Sequence, residues 1–386
     1  MLRLPFRERI LESPMSMQDR LDRVIDTAVA RKTIVGCVVI VRKNGKEIYS
    51  RAAGYADREA ERRTREDTIF RFASVTKPFV AAATLAMIDQ GKLGLDDRAV
   101  DHLPWFHPKG PNGEQAQITI RHLLTHTSGL TYDPTLEERA PESRVTIGIL
   151  DTDRDAETNF RPLNNIPLAF EPGTAWAYSV GLDILGALIA RVHGGTLEEV
   201  VNHYVTGPLG LKDSSFHVTD RERLAAAYAD GAKGAIRMPN PYYPPRESGW
   251  TAGFSPDRIF NEKAFQSGGA GMAGTAQEVM TLLDTLARGG GKVLSPKLAE
   301  AGFSNQVGDI TCEPGMRFGF FGSVCEDPGM ALATMAKGAV QWGGVYGNTW
   351  LVDLDAGITM VSLSNTALEG CMGAFPDNLR RAVYGV

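Results

Sequence analysis

No stretch of this sequence approaches the roughly 18 consecutive apolar residues of a membrane-spanning helix, and no window is dense in lysine and arginine alone. The clusters "RKNGK" and "DREAERRTRED" read as solvated surface. With a formal net charge of -5, the chain lacks the basic face that a nucleic-acid binder presents. The expectation is therefore no membrane span and no nucleic-acid partner. Cysteine is scarce: Cys37, Cys312, Cys325 and Cys371 lie far apart, with no CxxC pair. They read as reduced thiols, and the expected location is cytoplasmic. The opening "MLRLPFRERILESPMSMQDRLDRVID" mixes both charges and has no apolar core of about seven residues, so no secretory signal is expected. Met15 and Met17 are alternative starts.

The 386 residues are 43% hydrophobic and 23% charged, ordinary values for a globular chain with a large core. "IVGCVVIVRKNGKEIYSRAAGYAD" reads as a hairpin turning at Asn44-Gly45. Near the other end, "NTWLVDLDAGITMVSLSNT" reads as two strands around Asp355-Ala356-Gly357, and "FPDNLRRAVYGV" has helical spacing. Between them, "SVGLDILGALIARVHGG" and "TAQEVMTLLDTLARGG" carry apolar residues at helical spacing and end at glycines. "RMPNPYYPPRESGWTAGFSPDRIF" reads as a long loop. These patterns predict an α+β fold, with one antiparallel sheet built from N- and C-terminal strands and flanked by helices. The expected division is a discontinuous sheet unit, residues 1–90 and 310–386, and a mainly helical unit with long loops, residues 91–309.

Within "RFASVTKPFV", Ser74 and Lys77 stand three apart among apolar neighbours. Proline is tolerated mainly in the first helical turn, so Pro78 places Ser74 at or near a helix start. Residues three apart share a helix face. One reading is a capped helix with a solvated lysine; the other is a serine activated by a neighbouring base, since burial can lower the pKa of a lysine. Two further segments bear on the choice. "FEPGTAWAYSVGLDILG" sets Tyr178 just ahead of a helix, and "AVQWGGVYGNTWLVD" reads as a Trp-Gly-Gly turn directly before a strand.

The order Ser74-Val75-Thr76-Lys77, then Tyr178, then Trp342-Gly343-Gly344, with the flanks "LLTHTSGL" and "GGAGMAGTAQEVMTLL", resembles the serine β-lactamase-like superfamily over residues 20–386, and within it the family VIII carboxylesterases. The resemblance implies a β-lactamase-like fold with the active site between the two units. It implies Ser74 as nucleophile, Lys77 and Tyr178 together as the base, and the backbone N–H groups of Ser74 and Val345 as the oxyanion hole, Val345 lying on the strand after the glycines. Trp342, Gly343, Gly344, Trp176, Val180 and Tyr243 are expected to contact substrate. No cofactor and no metal are implied, and the expected partner is a small-molecule ester.

Two departures bear on specificity. Class C β-lactamases carry an asparagine two positions after the tyrosine, where this chain has Val180, and a lysine in the third motif, where it has Trp342. Losing that cation and amide weakens recognition of a penicillin carboxylate and favours neutral esters. The alternatives are a β-lactamase or D-alanyl-peptidase, an acyltransferase, and a binding module without turnover. The G-x-S-x-G elbow of α/β-hydrolases is missing; "FQSGGAG" and "GFSPD" lack its spacing. His122 and His126, four apart, lack the glutamate of a zinc helix and read as structural. His102, His107, His193, His203 and His217 form no constellation. Of the aromatics Trp176, Tyr242, Tyr243, Trp250, Phe254 and Phe265, two or three are expected at the pocket and the others in packing.

Overall fold

The computed structural model describes residues 15–132, 145–245, 247, 252–331 and 334–386. Strand β1 (Gly36–Lys43) turns through Asn44-Gly45 into β2 (Lys46–Asp57). Both turn residues have positive φ, 51° and 78°, the backbone of the primed hairpin turn that Asn-Gly accommodates. Six more strands join them: β3 (Arg62–Arg63), β4 (Met316–Phe318), β5 (Ser323–Cys325), β6 (Val340–Gly344), β7 (Asn348–Asp353) and β8 (Ile358–Ser364). Among the described residues they form an eight-stranded antiparallel sheet in the order β3-β2-β1-β8-β7-β6-β5-β4. The two ends of the chain meet where β1 pairs with β8, from Cys37 opposite Ser364 to Lys43 opposite Ile358. The sheet expected from the terminal strands is the one that forms.

The principal helices are α1 (Met17–Ala30), α2 (Thr76–Asp89), α3 (Gly181–His193), α4 (Ala276–Ala287) and α5 (Ala374–Tyr384). They cover both faces of the sheet, which is why β1 is apolar at successive positions. Successive strand side chains point to opposite faces. Cys37, Val39 and Val41 meet Leu21 and Ile25 of α1 and Leu379 and Val383 of α5. Val38 and Ile40 face the larger core, with Val279 and Leu283 of α4 and Val361 of β8.

That larger core runs on from the sheet into the central helices. α2 is buried from Thr76 to Met87, so it shows no polar face; a helix apolar all round belongs in an interior. Its run Ala81-Ala82-Ala83 keeps the helix slim where neighbours crowd it. α3 ends at Gly194, whose φ of 82° is the left-handed stop expected of glycine. α4 starts at Thr275, whose hydroxyl accepts the Glu278 N–H. α2 and α3 are thereby fixed against one core, with Lys77 on α2 and Tyr178 just ahead of α3.

Candidate active site

Ser74 lies in a 3-10 turn, Ala73–Val75, immediately before α2, with Pro78 in the first turn of that helix. The turn is held at unusual backbone geometry: Ala73 has φ 45° and is buried. Three contacts fix it. Phe72 N–H donates to Met272 O at 2.8 Å. Asn348 Nδ2 donates to Arg71 O (2.8 Å) and Phe72 O (3.2 Å), while its Oδ1 accepts Ser364 N–H at 3.3 Å. Gly344 of β6 lies so close that a Cβ there would sit 2.0 Å from Phe72 O. The glycine is required by this approach of strand to turn.

Lys77, only 4% exposed, extends from α2. Its Nζ donates to Ser74 Oγ (3.1 Å), to Gly269 O (2.8 Å) and, at 3.5 Å, to Tyr132 Oη. Tyr178 precedes α3, and its Oη donates to Ser74 Oγ at 2.6 Å. Trp342 Nε1 donates to Tyr178 Oη at 3.4 Å. The lysine nitrogen lies 4.6 Å from the centre of the Tyr178 ring, a cation–π contact. Tyr132, His126, Trp342 and Trp176 surround that ring at centroid distances of 5.0, 4.8, 5.1 and 6.3 Å. These rings hold the phenol with its oxygen at Ser74 Oγ.

Burial shapes the charges here. His126 is fully buried with Nδ1 3.1 Å from Ser179 Oγ; desolvation and then Lys77 hold its pKa well below the ordinary value, so the imidazole is neutral. Desolvation, then Asp183 and Tyr178, push the Tyr132 phenol well above its ordinary value, so it stays protonated. Asp183, buried on α3, is raised by desolvation and lowered in turn by Ser267, Lys77, the Gly269 N–H and Arg258.

The structure brings Ser74, Lys77, Tyr178 and Trp342 into one hydrogen-bonded cluster. Trp176 stacks on Tyr178 behind it. One expectation is corrected. Trp342-Gly343-Gly344 is the end of β6, paired with β7 from Trp342 opposite Trp350 to Gly344 opposite Asn348; the turn is 345–347, and Val345 lies in it. The glycines permit close approach: a Cβ on Gly343 would meet Cys371 Sγ at 2.8 Å. Val180 caps α3 and is packed into the core at 2% exposure. Tyr243 is 65% exposed over Gly253 and is not part of the cluster.

Among the other aromatics, Phe254 and Phe265 are core residues, and Tyr242 pairs with Phe254 through backbone hydrogen bonds. Trp250 lies outside the described residues. His122 serves its own helix, Ile120–Leu124, accepting the Thr119 N–H at Nδ1. Among the described residues, no three His, Cys, Asp or Glu side chains gather in a metal-holding group.

Sequence reasoning passed over Tyr132, Asn348, Asp183 and Gly269. One signal was present: Asp183 is an acid inside the apolar run of "GLDILGALIA". Chemically, the arrangement offers a serine hydroxyl within hydrogen-bond distance of both a tyrosine oxygen and a lysine nitrogen, the disposition of a nucleophile beside groups that exchange protons.

The Beta-lactamase family model matches residues 21–380. Esterase EstB of Burkholderia gladioli is 43% identical over 377 residues, covering 96% of this chain and 95% of that protein. Acyltransferase calJ of Penicillium decumbens is 30% identical over 345 residues, 80% of this chain and 78% of that protein. Among solved structures, EstCE1, described as a hydrolase with promiscuous acyltransferase activity, aligns with a TM-score of 0.90 at 40% identity, covering 95% of this chain and 98% of that one.

Proposed function

The chain belongs to the beta-lactamase family, and from that premise we propose that it is a serine carboxylesterase of the family VIII type, hydrolysing short-chain carboxylic esters through an acyl-enzyme on Ser74. The observation that carries this reading is the placement of Ser74 Oγ 2.6 Å from Tyr178 Oη and 3.1 Å from Lys77 Nζ.

With Lys77 as ammonium, Tyr178 can act as phenolate, helped by the Trp342 N–H directed at its oxygen. Ser74 Oγ attacks the ester carbonyl as its proton passes to Tyr178. The backbone N–H groups of Ser74 and Val345 receive the oxyanion, each such donor being worth about 2.7–4 kcal/mol of barrier. Tyr178 returns the proton to the departing alcohol, then takes one from the water that attacks the acyl-enzyme, and Ser74 is regenerated. In this reading Ser74, Lys77 and Trp342 come from the sheet unit, 1–90 and 310–386, and Tyr178 from the helical unit, 91–309, so the site lies between them.

Trp342, where β-lactamases carry a cation, presents an indole beside Tyr178 and favours a neutral ester. The four unbridged thiols agree with a reducing, cytoplasmic location. Ser74→Ala should lower hydrolysis of p-nitrophenyl butyrate by about 10³-fold or more in a protein with an unchanged melting curve. Full activity in that folded variant would overturn the mechanism.

A second reading is acyl transfer to an alcohol. It is favoured by two relatives, calJ, named an acyltransferase, and EstCE1, whose transferase activity is called promiscuous. A competing alcohol added to the ester assay should yield the transesterified product if the acyl-enzyme partitions that way, and only free acid if it does not.

A further inference from the structure

Lys77 keeps its position through an acceptor that is not a side chain. The Gly269 carbonyl takes the ammonium at 2.8 Å. The turn carrying that carbonyl is anchored to one buried acid: Asp183 Oδ1 accepts the Ser267 hydroxyl and, at 3.1 Å, the Gly269 N–H. Ser267 Oγ in turn accepts the Ala270 N–H at 2.9 Å. The approach is close enough to exclude side chains. A Cβ on Gly268 would lie 2.2 Å from Leu182 O, and one on Gly269 would lie 2.7 Å from Asp183 Oδ2.

We infer that Asp183 is a positioning residue for Lys77: its carboxylate orients the Gly269 carbonyl that receives the ammonium, and it supplies the buried negative charge that sets how tightly the Lys77–Tyr178 pair holds its protons. This rests on the reading of Ser74, Lys77 and Tyr178 as the catalytic groups.

The charge argument follows from what surrounds the pair. Asp183 is 2% exposed, and the two cations acting on it are Lys77 and Arg258. Arg258, itself buried, donates to Phe265 O at 2.6 Å, and neither its Nη1 nor Asp183 Oδ2 has a hydrogen-bond partner among the described residues. The other titratable groups facing Lys77 do not change charge near neutral pH: His126 stays neutral and Tyr132 stays protonated, both through burial. Asp183 is therefore the acid that faces Lys77, with Arg258 acting on Asp183. A carboxylate beside an ammonium favours its charged form.

The sign of the effect can be worked out. In the proposed mechanism the active enzyme uses Lys77 as ammonium and Tyr178 as phenolate, so a proton added to the phenol would inactivate it and produce an acid limb of kcat/KM. Asp183→Asn keeps the two acceptor positions at Oδ1 but removes the negative charge, so that proton binds less tightly. The acid limb should move to lower pH, by about 1 unit. Ser267→Ala removes a hydrogen bond without changing charge, and should lower kcat with the limb unmoved.

The experiment is the pH dependence of kcat and kcat/KM for p-nitrophenyl acetate in the wild type and these two variants, with thermal melts to verify folding. A displacement to lower pH in Asp183→Asn, with a lowered kcat and an unmoved limb in Ser267→Ala, supports the proposal. If Asp183→Asn does not fold, Ser267→Ala decides the positioning role, and wild-type kcat there overturns it. A limb at the wild-type pH in folded Asp183→Asn overturns it, leaving Asp183 as a prop for the 267–271 turn. Ser74→Ala in the same assay keeps the two readings apart: residual full activity there would remove the catalytic reading, whereas an unmoved limb with an inactive Ser74→Ala removes only the role of Asp183.

Discussion

The Tyr178 hydroxyl touches both the Ser74 hydroxyl and the Trp342 indole, while the faces and edges of its ring are enclosed by Tyr132, His126 and Trp176. Removing the oxygen alone should therefore separate chemistry from packing. Tyr178→Phe keeps the ring contacts and should lower kcat by about 10²–10⁴-fold, with little change in melting temperature; near-wild-type turnover would mean that Lys77 alone serves as base. Ser74, Lys77, Tyr178 and Trp342 were legible in the sequence because the proposed chemistry needs particular side chains at short spacings within ordered motifs. Asn348 and Asp183 were not, because each acts on backbone atoms brought close only by folding: Asn348 holds the Arg71 and Phe72 carbonyls, Asp183 the Gly269 N–H. The burial of Val180 was not legible either, because its position at the cap of α3 is what turns it into the core.

The hairpin of β6 and β7 and the Ser74 turn act as one unit. Gly344 meets Phe72 O from one side of the turn, and Asn348, opposite Gly344 in the ladder, donates to the same carbonyl. Gly344→Ala should force the strand away from the nucleophile, since the obstructing atom is backbone and cannot rotate aside. A displacement on the order of 1 Å is enough to cost about 100-fold in rate, so we expect kcat to fall by that factor while circular dichroism remains that of the wild type. Wild-type kcat in Gly344→Ala would show that the strand does not set the position of Ser74. Two glycines beside a tryptophan suggested a turn from sequence; their real purpose, close approach on both faces of a strand, is a tertiary fact. The Asn44-Gly45 hairpin, by contrast, depends only on local φ preferences and was read directly.

At the scale of the whole molecule, the sheet with both faces covered explains why the two ends of the chain are needed together. Leu379 of α5 is fully buried against the face of the sheet that also receives Leu21 and Ile25. Leu379→Ala should destabilise the fold by about 2–5 kcal/mol, read as a lower denaturation midpoint, although the substitution lies on the sheet face opposite the larger core. The sheet was legible because strands at the two termini must pair with something. α1 was not, because its polar face hides a narrow apolar stripe at Leu21, Ile25 and Ala28. The central claim is that ester hydrolysis runs through a covalent acyl group on Ser74. Rapid quenching of the enzyme during turnover of p-nitrophenyl acetate, followed by proteolysis and mass spectrometry, tests this directly. The account predicts a burst of p-nitrophenol and an acetyl group on the peptide containing Ser74, localised to that residue; hydrolysis at the normal rate with the acetyl group on another residue would contradict it.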